Sequence, residues 1–297
     1  MKILKIIPVL ALAVLICGSA WASPYAIELV ESSNDLTGSS LYNDPNAVLG
    51  KPSTNFYDPW GSWSGGSKDR KVKLVEPAYN TDAAGNKLIT TIGADSYITV
   101  KFDHQVMDDA NNPYGLDFLV FGNAFYVGSG FVNDTTDLNE YFLTGGTNNE
   151  NVLVSVSQDG ENWYDYVNGP FGDTAFPTQG YEYDAENSAW TDSEMDFTKP
   201  VDPALGETLL NGSYLEDNPI SAADAIALYD GSGGGTGFDL AESGLEWIQY
   251  IKVSGIDGYS GEIDAFSDVA AVPVPGALWL LASGLVALTG WLRKYPT

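Results

Sequence analysis

The chain has 297 residues, with 40 Asp and Glu against 13 Lys and Arg, a single His and a formal net charge of −27. Such acidity disfavours a nucleic-acid partner, because the phosphate backbone carries the same sign. One His and one Cys leave no material for zinc clusters, Cys–His pairs or Ser–His–Asp triads.

Residues 1–22 read as a secretory signal. Lys2 and Lys5 form its charged start, Ile6 to Ile16 its apolar stretch, and Ala20-Trp21-Ala22 a small-x-small cleavage site. Cleavage between Ala22 and Ser23 leaves Ser23 as the first mature residue. Cys17 lies inside the signal, so the mature chain has no cysteine, which makes bound calcium an attractive source of rigidity.

Beyond the signal, short segments with period-two patterning alternate with Gly, Asn, Asp and Pro. Tyr97 to Phe102 sets Ile98, Val100 and Phe102 on one side and Tyr97, Thr99 and Lys101 on the other. His104 follows at the expected strand end, a surface or turn position. Leu116 to Phe121 is apolar apart from Asp117 and reads as a central strand. Val152, Val154 and Val156 alternate with Leu153, Ser155 and Ser157, and Gln158-Asp159-Gly160-Glu161 then turns the chain into Trp163 to Tyr166. Cross-strand packing is expected to place Trp163 in the core.

Residues 168–220, rich in Pro, Gly, Asp and Thr, read as a long excursion between strands. Ser221-Ala222-Ala223-Asp224 starts a short helix that runs on through Leu228. Gly231 to Gly237 lacks the Gly-Lys-Ser/Thr of a phosphate loop and reads as a turn. Trp247 to Val253 and Ile263 to Val272 complete the strands. The expected class is all-β: a jelly-roll-type β-sandwich over residues 23–271, with long loops and one short helix.

Residues 272–297 form the other end. Pro273-Val274-Pro275 precedes an apolar run, Gly276 to Leu292, closed by Arg293 and Lys294. At about 1.5 Å per residue this run spans about 25 Å, near the shortest length that crosses a bilayer. Its basic end should stay in the cytoplasm. Pro-x-Pro, an apolar helix containing Ser283-Gly284-Leu285 and a basic close together resemble the PEP-CTERM sorting signal of Gram-negative bacteria. That resemblance implies a membrane precursor anchored through helix 276–292, an exosortase-type transpeptidase as partner, and a mature protein at the cell surface or outside an exopolysaccharide-making cell. The two ends hold four basic residues (Lys2, Lys5, Arg293 and Lys294) and no acidic ones. The body between them therefore has 9 basic against 40 acidic groups, a net charge of −31.

Within the body, Tyr42 to Pro52, Asp117 to Phe125, Val154 to Trp163 and Gly261 to Val269 resemble exported bacterial cell-surface proteins, similar in style to discoidin-like, galactose-binding-like sandwiches. Where such proteins tend to have Phe-Glu-Asn-Ala, this chain has Phe121-Gly122-Asn123-Ala124. Galactose-binding-like sandwiches often hold calcium between an early loop and the final strand. The resemblance thus implies Asp44 and Asn46, with Glu262, Asp264 and Asp268, as ligands. Asp108 to Asn112 and Asn133 to Glu140 are further oxygen-rich stretches, without EF-hand spacing.

Phe56 to Trp63 gathers four aromatics in a Gly/Pro loop. Tyr57, Trp60 and Trp63 can stack on sugar rings while nearby Asp and Asn bind hydroxyls, or the rings can cap one end of the core. The sequence therefore points to a non-enzymatic, calcium-stabilised carbohydrate-binding or adhesive module associated with exopolysaccharide. A polysaccharide hydrolase, needing two carboxylates about 5–10 Å apart, and a purely structural coat protein are the alternatives.

Overall fold

The apolar runs become the strands of two antiparallel sheets that share one core. The computed structural model describes residues 22–33, 36, 41–61 and 68–269. The signal before Ala22, Trp63 and the sorting segment 272–297 with Pro273, Pro275, Arg293 and Lys294 lie outside the described residues. In chain order the first eight strands are β1 (Glu28–Ser32), β2 (Asn55–Tyr57), β3 (Asp69–Lys71), β4 (Thr90–Ile92), β5 (Tyr97–Met107), β6 (Phe118–Gly122), β7 (Phe125–Gly128) and β8 (Phe142–Asn148). The rest are β9 (Val152–Ser157), β10 (Tyr164–Asp165), β11 (Tyr181–Asp184), β12 (Ala189–Glu194), β13 (Ile220–Ser221), β14 (Thr236–Phe238), β15 (Trp247–Gly255) and β16 (Gly261–Asp268).

One sheet runs β1-β5-β15-β9-β10 and the other β14-β6-β16-β4. Their inward side chains form a single cluster: Ile98, Val100 and Phe102 of β5, Val154 and Val156 of β9, and Ile251 and Val253 of β15 meet Phe118 and Val120 of β6 and Ile263 and Phe266 of β16. Each such side chain contributes about 1.5–3 kcal/mol on burial. The chain is thus all-β in architecture. Leu119, Phe121 and Ala265 point the other way and are covered by Phe197 and Val269. Burial on both faces explains why β6 reads as a continuous apolar run rather than an alternation.

Three expectations are corrected. β5 continues to Met107, so His104 is a strand residue with a largely buried imidazole and not a turn residue. Trp163 stands beside a groove, with the Lys252 ammonium 4.4 Å from its ring centre. Alternation through β10 and the residues beside it turns Tyr164 and Tyr166 to the core, which leaves Trp163 outside it. Residues 168–220, read as an excursion, contain β11, β12, α1 (Gly206–Leu209) and α2 (Gly212–Asp217).

With β7, β8, β13 and α3 (Ala222–Leu228), that region encloses a second core that includes Leu74, Tyr126, Leu143, Met195, Leu209 and Ile226. Its apolar residues are spaced singly among turn formers, so no periodic run announces them. The helix start is as the sequence indicates: Ser221 Oγ accepts the Asp224 amide at 3.0 Å. Among the described residues no helix is long and apolar enough to cross a membrane.

Candidate functional site

β2 and β3 pair antiparallel, with Phe56 opposite Arg70 and Tyr57 opposite Asp69. Phe56 turns inward onto Val72, Ala78 and Ile89. The chain leaving β2 must then reverse, and Asp58 sets the turn by accepting the Trp60 amide at 2.9 Å. Trp60 is held outward, 76% exposed.

Arg70 lies beneath this turn with its side chain only 3% exposed. Nη1 donates to Asp58 Oδ2 at 3.2 Å, and Nη2 donates to both Glu76 oxygens at 2.6 and 2.8 Å and to the Val132 carbonyl at 2.7 Å. Nε lies 4.0 Å from Asp134 Oδ1 and has no hydrogen-bond partner among the described residues. Lys73, fully buried, pairs with Glu76 and with Asp134 at 3.0 Å. Two cations thus sit among three carboxylates, and buried charges persist when they are paired in this way. The excess negative charge reaches Tyr79, where burial and then the charges of Asp58 and Glu76 push the phenol up to about 12.

Trp60, Phe131, Tyr79, Asp58, Arg70 and Asn133 border a cavity of about 590 Å³. Phe131 is fully exposed. A second cavity of about 320 Å³ is bordered by Glu76, Phe131 and Val132 as well. Two outward aromatic rings above a floor of fixed donors and acceptors are the elements that recognise sugars: rings for apolar sugar faces, polar groups for hydroxyls. Of the expected sugar-binding aromatics, Trp60 lines the groove. Tyr57 has the Lys68 ammonium 5.9 Å from its ring centre, and Trp63 lies outside the described residues. Sequence reasoning missed Arg70, Glu76, Tyr79 and Phe131.

The expected calcium ligands have separate surroundings. Asp44 Oδ1 accepts the backbone and side-chain amides of Asn46 at 3.0 and 3.1 Å, capping a short turn over Pro45–Val48. Asp264 accepts the Ser53 amide at 2.8 Å and its hydroxyl at 2.9 Å, and burial pushes its carboxyl up to about 7. Asp268 meets His104 Nε2 at 2.8 Å. Glu262 accepts the Thr91 hydroxyl at 3.2 Å, and burial, followed by the charge of Glu150, pushes its carboxyl up to about 7.

A different carboxylate group comes together. Asp108, Asp117 and Asp239 each offer an oxygen within 4.8 Å of the others, and can hold a metal ion. Asp117 is fully buried, accepting the Asp109 and Leu240 amides at 2.9 and 2.8 Å and the Asn112 side chain at 2.9 Å. Burial is the larger influence on its carboxyl and raises its affinity for a proton. In the sequence Asp108 stood in an oxygen-rich stretch and Asp117 was a lone Asp before an apolar strand, with nothing to join either to Asp239.

Gly122, where the resemblance leads one to expect Glu, faces another carboxylate. A Cβ placed there would lie 2.2 Å from Asp173 Oδ1 and 2.6 Å from the Glu262 carbonyl. Asp173 is buried and bound to the Ala124 and Glu262 amides at 2.8 and 3.1 Å. No protein-family model and no curated protein matches the chain.

Proposed function

We propose that this is an exported, exosortase-sorted surface protein whose body is a jelly-roll, galactose-binding-like sandwich, and that it binds carbohydrate through the Trp60–Phe131 groove without catalysing a reaction. The observation that carries the reading is the pair of outward rings, Trp60 and Phe131, bordering one cavity over the Arg70 network. A purely structural coat would bury those rings, because exposing them forfeits apolar burial. Exopolysaccharide is the ligand the sorting signal points to, and calcium is the ion suited to three carboxylate oxygens at Asp108, Asp117 and Asp239.

Glycan-array binding followed by calorimetric titration of the exported protein tests this, with Trp60→Ala and Phe131→Ala alongside and with calcium supplied or chelated. Binding to a glycan that both variants lose supports the groove. An array without binders, or binding that survives both substitutions, overturns it.

A further inference from the structure

The body begins where the signal is expected to end. Pro24 accepts the Asp268 amide through its carbonyl at 2.7 Å, Tyr25 bridges Ser267, and the Ala26 amide donates to the Phe266 carbonyl at 3.2 Å. Ala26 is fully buried, and the Ile27 amide reaches the Lys101 carbonyl of β5 at 3.1 Å. The first mature residues are therefore fixed against β16 and β5, leaving the Ser23 nitrogen little freedom. It lies 3.2 Å from Asp103 Oδ2.

Behind that carboxylate is a compact charged group. His104 Nδ1 is 2.9 Å from Asp103 Oδ1, and Nε2 is 2.8 Å from Asp268 Oδ2. Both imidazole nitrogens are thus held by carboxylates, while Asp103 presents its other oxygen, Oδ2, to the Ser23 nitrogen. In the uncleaved chain Ser23 offers this group one neutral amide hydrogen. Hydrolysis of the Ala22–Ser23 bond changes that: the water oxygen joins the Ala22 carbonyl carbon, and both water hydrogens end on the Ser23 nitrogen. The neutral amide becomes an ammonium at the same place.

We propose that Asp103, backed by His104 and Asp268, is the binding site for the α-ammonium that signal cleavage creates at Ser23. The site turns a processing event into an ion pair between Ser23 and Asp103 that seats the start of the body. This goes beyond the carbohydrate reading and rests instead on cleavage between Ala22 and Ser23.

The test uses the full chain expressed with its own leader in an exporting bacterial host and purified after processing. Intact mass identifies the new N-terminus. Limiting amine acylation near neutral pH, read by peptide mass spectrometry, then separates the Ser23 α-amine from the lysines. An ordinary α-amine titrates near 8, and a carboxylate partner raises that value, so fewer molecules are reactive at a given pH. Acylation at Ser23 should run about 3- to 10-fold slower than at the N-terminus of a variant with two glycines inserted between Ala22 and Ser23.

Asp103→Asn should recover most of the lost rate. The insertion moves the amine without touching Asp103, so the comparison survives if Asp103→Asn folds poorly. Equal rates in the native and inserted proteins would overturn the proposal, as would a mature N-terminus other than Ser23. Neither result bears on the groove, and a failure of glycan binding leaves slowed acylation of Ser23 intact.

Discussion

Arg70 donates to the carbonyl oxygen of Val132 at 2.7 Å, and this bond joins the two arms of the groove. On one side the same guanidinium grips Asp58, whose other oxygen sets the turn that presents Trp60. On the other, Val132 directly follows Phe131. A planar group with several donors can reach both arms at once, whereas a lysine ammonium cannot match that geometry. Arg70→Met should therefore cost about 3–5 kcal/mol in urea unfolding, because it leaves buried carboxylates short of a partner. Arg70→Lys should recover part of the stability and little of the glycan affinity. Full recovery of both would show that charge alone matters there.

Trp60→Ala and Phe131→Ala should each weaken glycan binding about tenfold or more while moving unfolding free energy by less than about 0.5 kcal/mol. Exposed rings with few contacts of their own have little to lose on truncation. A large fall in stability would mean that the rings serve packing, and would remove them as binding residues.

Gly122→Ala should destabilise the body by about 2 kcal/mol or more, since the added carbon meets the Asp173 carboxylate and the Glu262 backbone together. Asp173 is itself held at φ 56, with its carboxylate fixed by two amides, so it has no easy retreat. Chemical denaturation of Gly122→Ala is the measurement. Wild-type stability would show that the Asp173 loop moves aside.

Stability should fall as pH rises from about 5 to about 8. Asp264, raised to about 7, and Asp173, Glu262 and Asp117, all raised by burial, bind protons more tightly folded than unfolded. Each therefore contributes a stability that fades above its unfolded value. His104, raised chiefly by its bond to Asp268, adds stability below its ordinary value and loses it as pH climbs through the folded one. In the opposite sense, Asp159, Asp82 and Asp184 are lowered, mainly through bonds from nearby amides, and their contribution disappears below about pH 4. Thermal melts in chelator should peak near pH 5, and Asp264→Asn should flatten the alkaline side. A melting temperature that rises towards pH 8 would contradict this.

Calcium should raise the melting temperature at neutral pH, and Asp108→Asn should weaken that response, since a ligand held only by the native state stabilises it. Asp108 is exposed, so its substitution tests the ion without disturbing the buried bonds of Asp117. An equal calcium response in wild type and variant would place the ion elsewhere.

Much of the sandwich was legible because β5, β6, β9 and β15 carry clear apolar patterns. The groove was only half legible. Trp60 announced itself in an aromatic loop, but Arg70 sits in Lys68-Asp69-Arg70-Lys71-Val72-Lys73, which reads as a solvated charged run. It is buried because Phe56 draws its hairpin inward while Val132 closes over the guanidinium, and no local pattern encodes that meeting. Phe131 is a single aromatic after Gly128-Ser129-Gly130, without any period to interpret. Asp108 and Asp117 flank the connection from β5 to β6, and Asp239 lies more than a hundred residues on, brought to them by the pairing of β6 with β14 and by the Asp108 amide bonding to the Glu246 carbonyl. The carboxylates of β16 stood out only through the resemblance, and Asp264 and Asp268 each meet a partner of their own.

The position of β16 sets how the body would carry force. It is the last strand before residue 269, and it is hydrogen-bonded to β6 on one edge and to β4 on the other. A pull on the chain beyond Val269 enters along this strand, across ladders that must shear together rather than open one bond at a time. A module tethered on that side and loaded through a bound polymer would resist with a strand held on both edges.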